Sequence, residues 1–318
     1  AITSIVMKRI RLIIILAGIC AILAVPFLVF YNRPPVLVVT EAPYAVLYGA
    51  SNLKRQQLAA SWELRRRVLP VMVADAASPD VVIFAIAEAS SRPLCVLFAR
   101  SQIASVRAFH EQFPEIPAVL FSGVLSASGL PTADGVLCVY ATDRETDLYR
   151  AGLCAGILGT ARQKNAKKAE GQEESAPKQN RYALWQDRYV QAAGREIFSR
   201  GVKEQDPESV IVFASSAAEM PDMGGLSCAV LTGAGAEYFE KNPKIPIIMF
   251  GWTDPALTAR EVAVQFDDSV WGLAAPATRM ALNRQAEGKI PSNPLIFSEK
   301  TSDNAVLRIL KKSAKKVP

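Results

Sequence analysis

An α/β fold of two lobes, each built on a mostly parallel sheet, is what this sequence predicts. Three observations carry the prediction. Residues 181–268 alternate strand and helix: RYALWQ (181–186), the helical DRYVQAAGREIFSR, then SVIVFASS (209–216), LSCAVLTG (226–233), IPIIMFGWTD (245–254) and EVAVQFDD (261–268). Residues 35–142 repeat the same alternation. The strand cores are nearly all apolar, as expected when helices cover both faces of a parallel sheet.

The elements follow in order. PVLVVTE (35–41) is the first strand, and residues 51–67 form a helix with Ser51 or Asn52 as N-cap. VLPVMVAD (68–75), PLCVLFA (93–99), IPAVLFSG (116–123) and GVLCVYAT (135–142) are further strands, with helices expected at 79–90 and 101–112. Alternating strands and helices imply right-handed crossovers. Residues 35–142 are thus a first lobe. Residues 143–268 make the second, opened by a helix over 144–160 whose Ala151, Gly152, Ala155, Gly156 and Gly159 allow close backbone packing. Residues 162–180 are polar, charged and without periodicity, which reads as a mobile loop. Gly201 suits the C-terminal cap of the helix that follows the 181–186 strand. The segment 269–318 supplies a helix to about Glu287, a turn over 290–294, a short strand at 295–297 and a basic tail.

Ahead of the lobes lies a different kind of sequence. Residues 12–31, LIIILAGICAILAVPFLVFY, are a run of 20 residues without charge, enough to cross a hydrocarbon core of about 30 Å as a helix. Lys8, Arg9 and Arg11 precede it, so the positive-inside rule places residues 1–11 in the cytoplasm. The run is longer than a cleaved signal requires, and Ile19 before Cys20 is wrong for lipidation. The reading is an uncleaved, single-pass transmembrane anchor in a bacterial inner membrane, with the globular part in the periplasm.

Composition narrows the function. Apolar residues make up 50% of the 318-residue chain and charged residues 21%, so a sizeable core is available. The net charge of +6 is spread over solvated segments around 164–178 and 300–316 rather than on a nucleic-acid-binding module, so nucleic acid is not an expected partner. With His110 the only histidine and no C-x-x-C pair, no metal ligand set is expected and no cofactor is called for. Cys95, Cys138, Cys154 and Cys228 read either as buried thiols or as disulfide partners in an exported domain. No nucleophile motif or phosphate-binding loop occurs, so no catalytic residue is assigned and enzymatic activity is not expected.

Ligands of such sheets sit beyond the carboxyl ends of the strands. Those ends carry Ser122 and Gly123 in the first lobe and Trp185, Ser215, Thr232, Gly233, Trp252 and Asp254 in the second. An indole face suits a planar or pyranose ring, and a carboxylate suits vicinal hydroxyls. Thr142 and Asp267 end strands where the chain passes between lobes, which suits hinge positions.

As an ordered set, DGVLCVYATDRETDLYRAGLCAGILG (134–159), RYALWQ, FSRGVKEQDPESVIV (198–212), AVLTGAGAEYFEKNP (229–243) and IPIIMFGWTDPA (245–256) leading to VAVQFDDSVWG (263–272) resemble type I periplasmic binding proteins, most closely the basic membrane protein family of purine-nucleoside receptors. The resemblance implies a two-lobed receptor that closes on a nucleoside or sugar-like molecule and serves an ABC-type importer. It implies that Trp185 stacks on the ligand, that Thr232 and Gly233 line the cleft and that Asp254 holds a hydroxyl-bearing sugar. In the first lobe TEAPYAVLYGASN (40–52) departs from the family pattern. There Glu41 stands for the family's acidic residue and Tyr44 or Tyr48 for its aromatic. That departure leaves a second expectation open: a ligand-free scaffold protein on the same fold, docked to a membrane complex.

Overall fold

The computed structural model describes residues 30–122, 135–170, 179–185, 192–214, 226–231, 245–250, 262–296 and Arg308. Strand β1 (Val36–Glu41) pairs in parallel with β2 (Val68–Val73) on one side and β3 (Cys95–Phe98) on the other. β4 (Ala118–Phe121), β5 (Leu137–Thr142) and β11 (Glu287–Ile290) continue the sheet, in the order β11-β5-β4-β3-β1-β2, all parallel. The side-chain period of two sorts β1 between the faces. Val36 and Val38 enter a core with Ala60 and Trp271, whereas Leu37 and Val39 enter one with Val82, Ile86, Val106 and Phe109. Thus α2 (Ala50–Leu64) and α7 (Val270–Leu282) cover one face, and α3 (Pro79–Ala89) and α4 (Ile103–Gln112) cover the other.

The second sheet runs β12-β10-β9-β8-β6-β7, with β6 (Arg181–Trp185), β7 (Val210–Ala214), β8 (Cys228–Leu231), β9 (Ile247–Phe250) and β10 (Val262–Asp267) parallel. β12 (Asn293–Ile296) is antiparallel to β10. α5 (Arg144–Glu170) and α6 (Ala192–Gln205) pack on it around Tyr182, Leu184, Phe198 and Phe250.

Several expectations change in detail. Residues 162–170 are not loop: α5 continues to Glu170. Its segment RQKNAKKAE contains good helix formers, and the first glycine arrives only at Gly171. Gly201 does not cap α6, which runs on to Gln205. It is a packing glycine: a Cβ there would meet the carbonyl of Tyr149 and lie 3.1 Å from Leu153 N. Gly152 reciprocates, since its Cβ would meet the carbonyl of Phe198 and sit 2.9 Å from Val202 N. A short helix, α1 (Ala42–Tyr48), stands where no element was read, with Pro43 in its first turn. The last helix stops at Leu282, and GKI of β11 then forms an edge strand too polar to announce itself. Residues 12–29 lie outside the described set, and among the described residues no helix is long and apolar enough to cross a membrane. Cys95, Cys138, Cys154 and Cys228 are buried free thiols.

Candidate functional site

The chain passes between the sheets three times. It leaves β5 for α5 at 142–144, returns from β10 to α7 at 267–270, and leaves β11 for β12 at 290–293. β5, β10 and β11 all end at these crossings, so the crossings lie at the carboxyl edges of the two sheets.

Side chains at the crossings bind one another. Asp143 N donates to Ile290 O at 2.8 Å, and the Asp143 carboxylate caps α5 by accepting from Thr146 N at 3.1 Å and Thr146 Oγ1 at 2.7 Å. Asp147, fully buried, accepts from Ser292 N at 2.9 Å and from the Ser292 hydroxyl. Arg150 Nη1 donates to Ser292 O at 3.0 Å and lies 3.7 Å from Asp147. Burial pushes the Asp147 carboxyl up to about 7, against the stabilising hydrogen bonds of Ser292 and the charge of Arg150. Arg144 pairs with Asp268 at 3.0 Å. Asp267 accepts from Gln56 Nε2 at 2.8 Å and from Ser269 N at 3.0 Å, and Gln56 Oε1 accepts from Asn293 Nδ2 at 3.3 Å. Ser269 caps α7 by accepting from Gly272 N at 3.0 Å.

The residues expected at the site fall into three groups. Glu41 ends β1 and accepts from Gln102 Nε2 at 2.6 Å; Gln102 is buried and accepts in turn from Ser105 Oγ at 3.0 Å. Tyr44 on α1 lies beside the second crossing, its hydroxyl in hydrogen-bonding reach of Ser269 and near Asp267 and Asp268. Although 36% of the residue's surface is exposed, the hydroxyl itself is enclosed, and burial, then Asp267, pushes its pKa up. Ser122 follows β4 at the carboxyl edge of the first sheet, its N–H bonded to Tyr140 O at 2.8 Å. These three share the carboxyl side of the first sheet, and Tyr44 joins them to Asp267.

Trp185 behaves differently. It ends β6 but is 8% exposed, packed with Ala183, Leu226, Ala229, Ile247 and Met249 on one face of the second sheet. Thr142 ends β5 opposite Ile290, and Asp267 ends β10 opposite Asn293, both at crossings. Gly123, Ser215, Thr232, Gly233, Trp252 and Asp254 lie outside the described residues. Among the described residues no cluster of three or more His, Cys, Asp or Glu side chains is arranged to hold a metal.

Sequence reasoning missed Gln56, Gln102, Asp147, Arg150 and Ser292. Only Asp147 and Arg150 gave a signal: an acid and a base three apart on a helix otherwise lined with small apolar residues.

No family pattern and no curated protein sequence matches the chain. Among solved structures, an ABC-transporter solute-binding protein from Conexibacter woesei aligns over 90% of this chain and 99% of its own, with a TM-score of 0.54 at 11% identity. That likeness establishes the fold: two α/β lobes in the arrangement of an ABC-transporter solute-binding protein. An arabinose-binding protein from Geobacillus stearothermophilus aligns over 86% of this chain and 99% of its own (TM-score 0.48, 13% identity). A periplasmic solute-binding protein from Actinobacillus succinogenes with bound D-allose does so over 86% and 100% (TM-score 0.44, 14% identity).

Proposed function

We propose that this chain is a solute-binding receptor, anchored in a bacterial inner membrane by residues 12–31, whose two periplasmic lobes close on a sugar-like or nucleoside ligand for an ABC-type importer. The observation that carries the reading is the triple crossing at the carboxyl edges of one parallel and one mostly parallel sheet. Three short connections permit the lobes to rotate while their sheets stay intact. Thr142 and Asp267 are the hinge positions in this reading. In this reading Glu41, Tyr44 and Ser122 meet the ligand from the first lobe and Thr232, Gly233, Trp252 and Asp254 from the second, while Trp185, packed among apolar side chains of the second sheet, supports that side. Asp254 receives the ligand's hydroxyls. The proposed activity is binding and delivery rather than catalysis.

One observation favours a second reading, a ligand-free scaffold docked to a membrane complex. Glu41 is engaged by Gln102, and the Tyr44 hydroxyl reaches Ser269, so two first-lobe groups have partners of their own.

Native mass spectrometry of the full chain, followed by thermal shifts with pentoses, hexoses and nucleosides, separates the two. A co-purifying small molecule, or a rise in Tm through mass action, supports the receptor. Asp254→Ala should abolish that rise. An apo mass with no shift across the panel supports the scaffold.

A further inference from the structure

All six strands of the first sheet are parallel, so all six begin at one edge, opposite the crossings. Backbone hydrogen bonds tie those starts together: Val36 N to Arg67 O, Leu94 N to Pro35 O, Val96 N to Pro117 O, Ala118 N to Val136 O and Val139 N to Ala286 O. The residues leading into the strands are basic. Arg33 precedes β1, Arg65, Arg66 and Arg67 precede β2, Arg92 precedes β3 and Arg284 precedes β11, against Glu115 before β4 and Asp134 before β5 in the sequence. At the carboxyl edge the arginine excess is gone: Glu41, Asp75 and Asp143 stand against Arg100 and Arg144. Arg33, Arg65, Arg92 and Arg284 are exposed, and none of them forms an ion pair among the described residues.

The same edge holds an open cavity of about 340 Å³. Arg92 and Arg284 supply its cations, Leu94, Ile116 and Leu282 its apolar floor, and Pro34 part of its wall. Pro34 lies three residues after Tyr31, the last residue of the uncharged run, and Tyr31 itself packs under the Arg67 guanidinium at 5.5 Å from its ring centroid. Three residues of chain reach about 10 Å at most. That is close to the screening length of about 8 Å at physiological ionic strength, so charge on this edge would be felt at the bilayer surface.

We propose that this arginine-rich edge docks on the bilayer through anionic phospholipid headgroups, with Arg92 and Arg284 gripping a headgroup phosphate in the cavity. A guanidinium pairs with phosphate in a planar, two-point geometry, and apolar walls suit the carbons beside it. Glu115, also in the cavity, offsets one of the two cations there. Recognition is therefore shared with the flanking Arg33, Arg65 and Arg66. Docking would hold the first lobe upright with its carboxyl edge facing away from the membrane. The inference rests on the membrane-anchored part of the proposed function.

The test uses the full chain in nanodiscs of phosphatidylcholine, with or without phosphatidylglycerol, followed by hydrogen exchange. Phosphatidylglycerol should slow exchange several-fold in segments 92–95, 115–118 and 282–286 and leave the 143–147 crossing unchanged. High salt should reverse the protection. So should Arg92→Glu with Arg284→Glu, or, if that pair fails to fold, Arg33→Glu with Arg65→Glu. Equal exchange in both discs overturns the proposal, as does protection that survives both pairs of substitutions. Equal protection by inorganic phosphate in pure phosphatidylcholine discs also overturns it, in favour of a soluble-anion site. A chain that alkaline carbonate strips from membranes defeats the anchor itself, and docking with it. Retention with equal exchange defeats docking alone.

Discussion

Gln56 Nε2 donates to Asp267 Oδ2 at 2.8 Å, across 211 residues of sequence. Gln56 belongs to α2 in the first lobe, and Asp267 ends the last parallel strand of the second. Because Gln56 also accepts from Asn293, one buried amide touches two of the three crossings. Gln56→Ala removes a charged hydrogen bond from Asp267. The expected loss of stability is about 1–3 kcal/mol, measured by denaturant unfolding. A midpoint within error of the wild type would show that the contact does not stabilise the crossings.

The buried carboxyl of Asp147 makes the crossings pH-dependent. Its pKa rises from 3.8 in the unfolded chain to about 7 in the folded one. Between those values the folded chain retains a proton that the unfolded chain has released. The group's stabilising contribution is therefore complete below about pH 4 and is lost as pH rises through about 7. The slope is up to about 1.4 kcal/mol per pH unit. Asp147→Asn should flatten Tm against pH across that window. Parallel profiles for the two proteins would assign the slope to other groups.

Gly152 and Gly201 bring α5 and α6 into backbone contact. Alanine at either position would meet a main-chain carbonyl rather than a flexible side chain, so the helices must separate. A loss of about 1–3 kcal/mol is expected from each. The double substitution should fall short of the sum, because one separation relieves both clashes. Additive losses in chemical melts would contradict a shared contact.

Trp271 Nε1 donates to Thr40 Oγ1 at 3.1 Å, fastening α7 to β1. The indole is 1% exposed, so Thr40→Val would strand its N–H without water. Unfolding should become easier by about 1–3 kcal/mol, while Thr40→Ser should recover most of the loss. Equal stability of the valine and serine variants would show that the bond contributes nothing net.

The strands were legible because apolar β-branched runs such as VLVV and AVLF leave few alternatives to a buried parallel sheet. The glycines and alanines of α5 announced close packing but not their partner. Gly201 showed the risk: the same residue suits a helix end or a helix contact, and only the presence of α5 decides between them. β11 was invisible because an edge strand needs few apolar side chains and borrows its pairing from β5. Glu41 was legible at the end of an apolar strand run, whereas its partner Gln102 lies 61 residues away and carries no local signature. Tyr44 stands on α1, a helix the sequence did not announce, and its partner Ser269 is farther still along the chain.

The sequence by itself determined the alternation of strand and helix and the apolar run ahead of the lobes. Those are local properties, set by side-chain periodicity, length and charge. Only the tertiary structure decided that the chain crosses three times, that Gln56, Asp147, Asp267 and Ser292 meet at the crossings, and that six arginines collect on one edge. Each depends on which strands pair and in what direction. Parallel pairing brings distant strand starts to one side and distant strand ends to the other, and no local pattern records that.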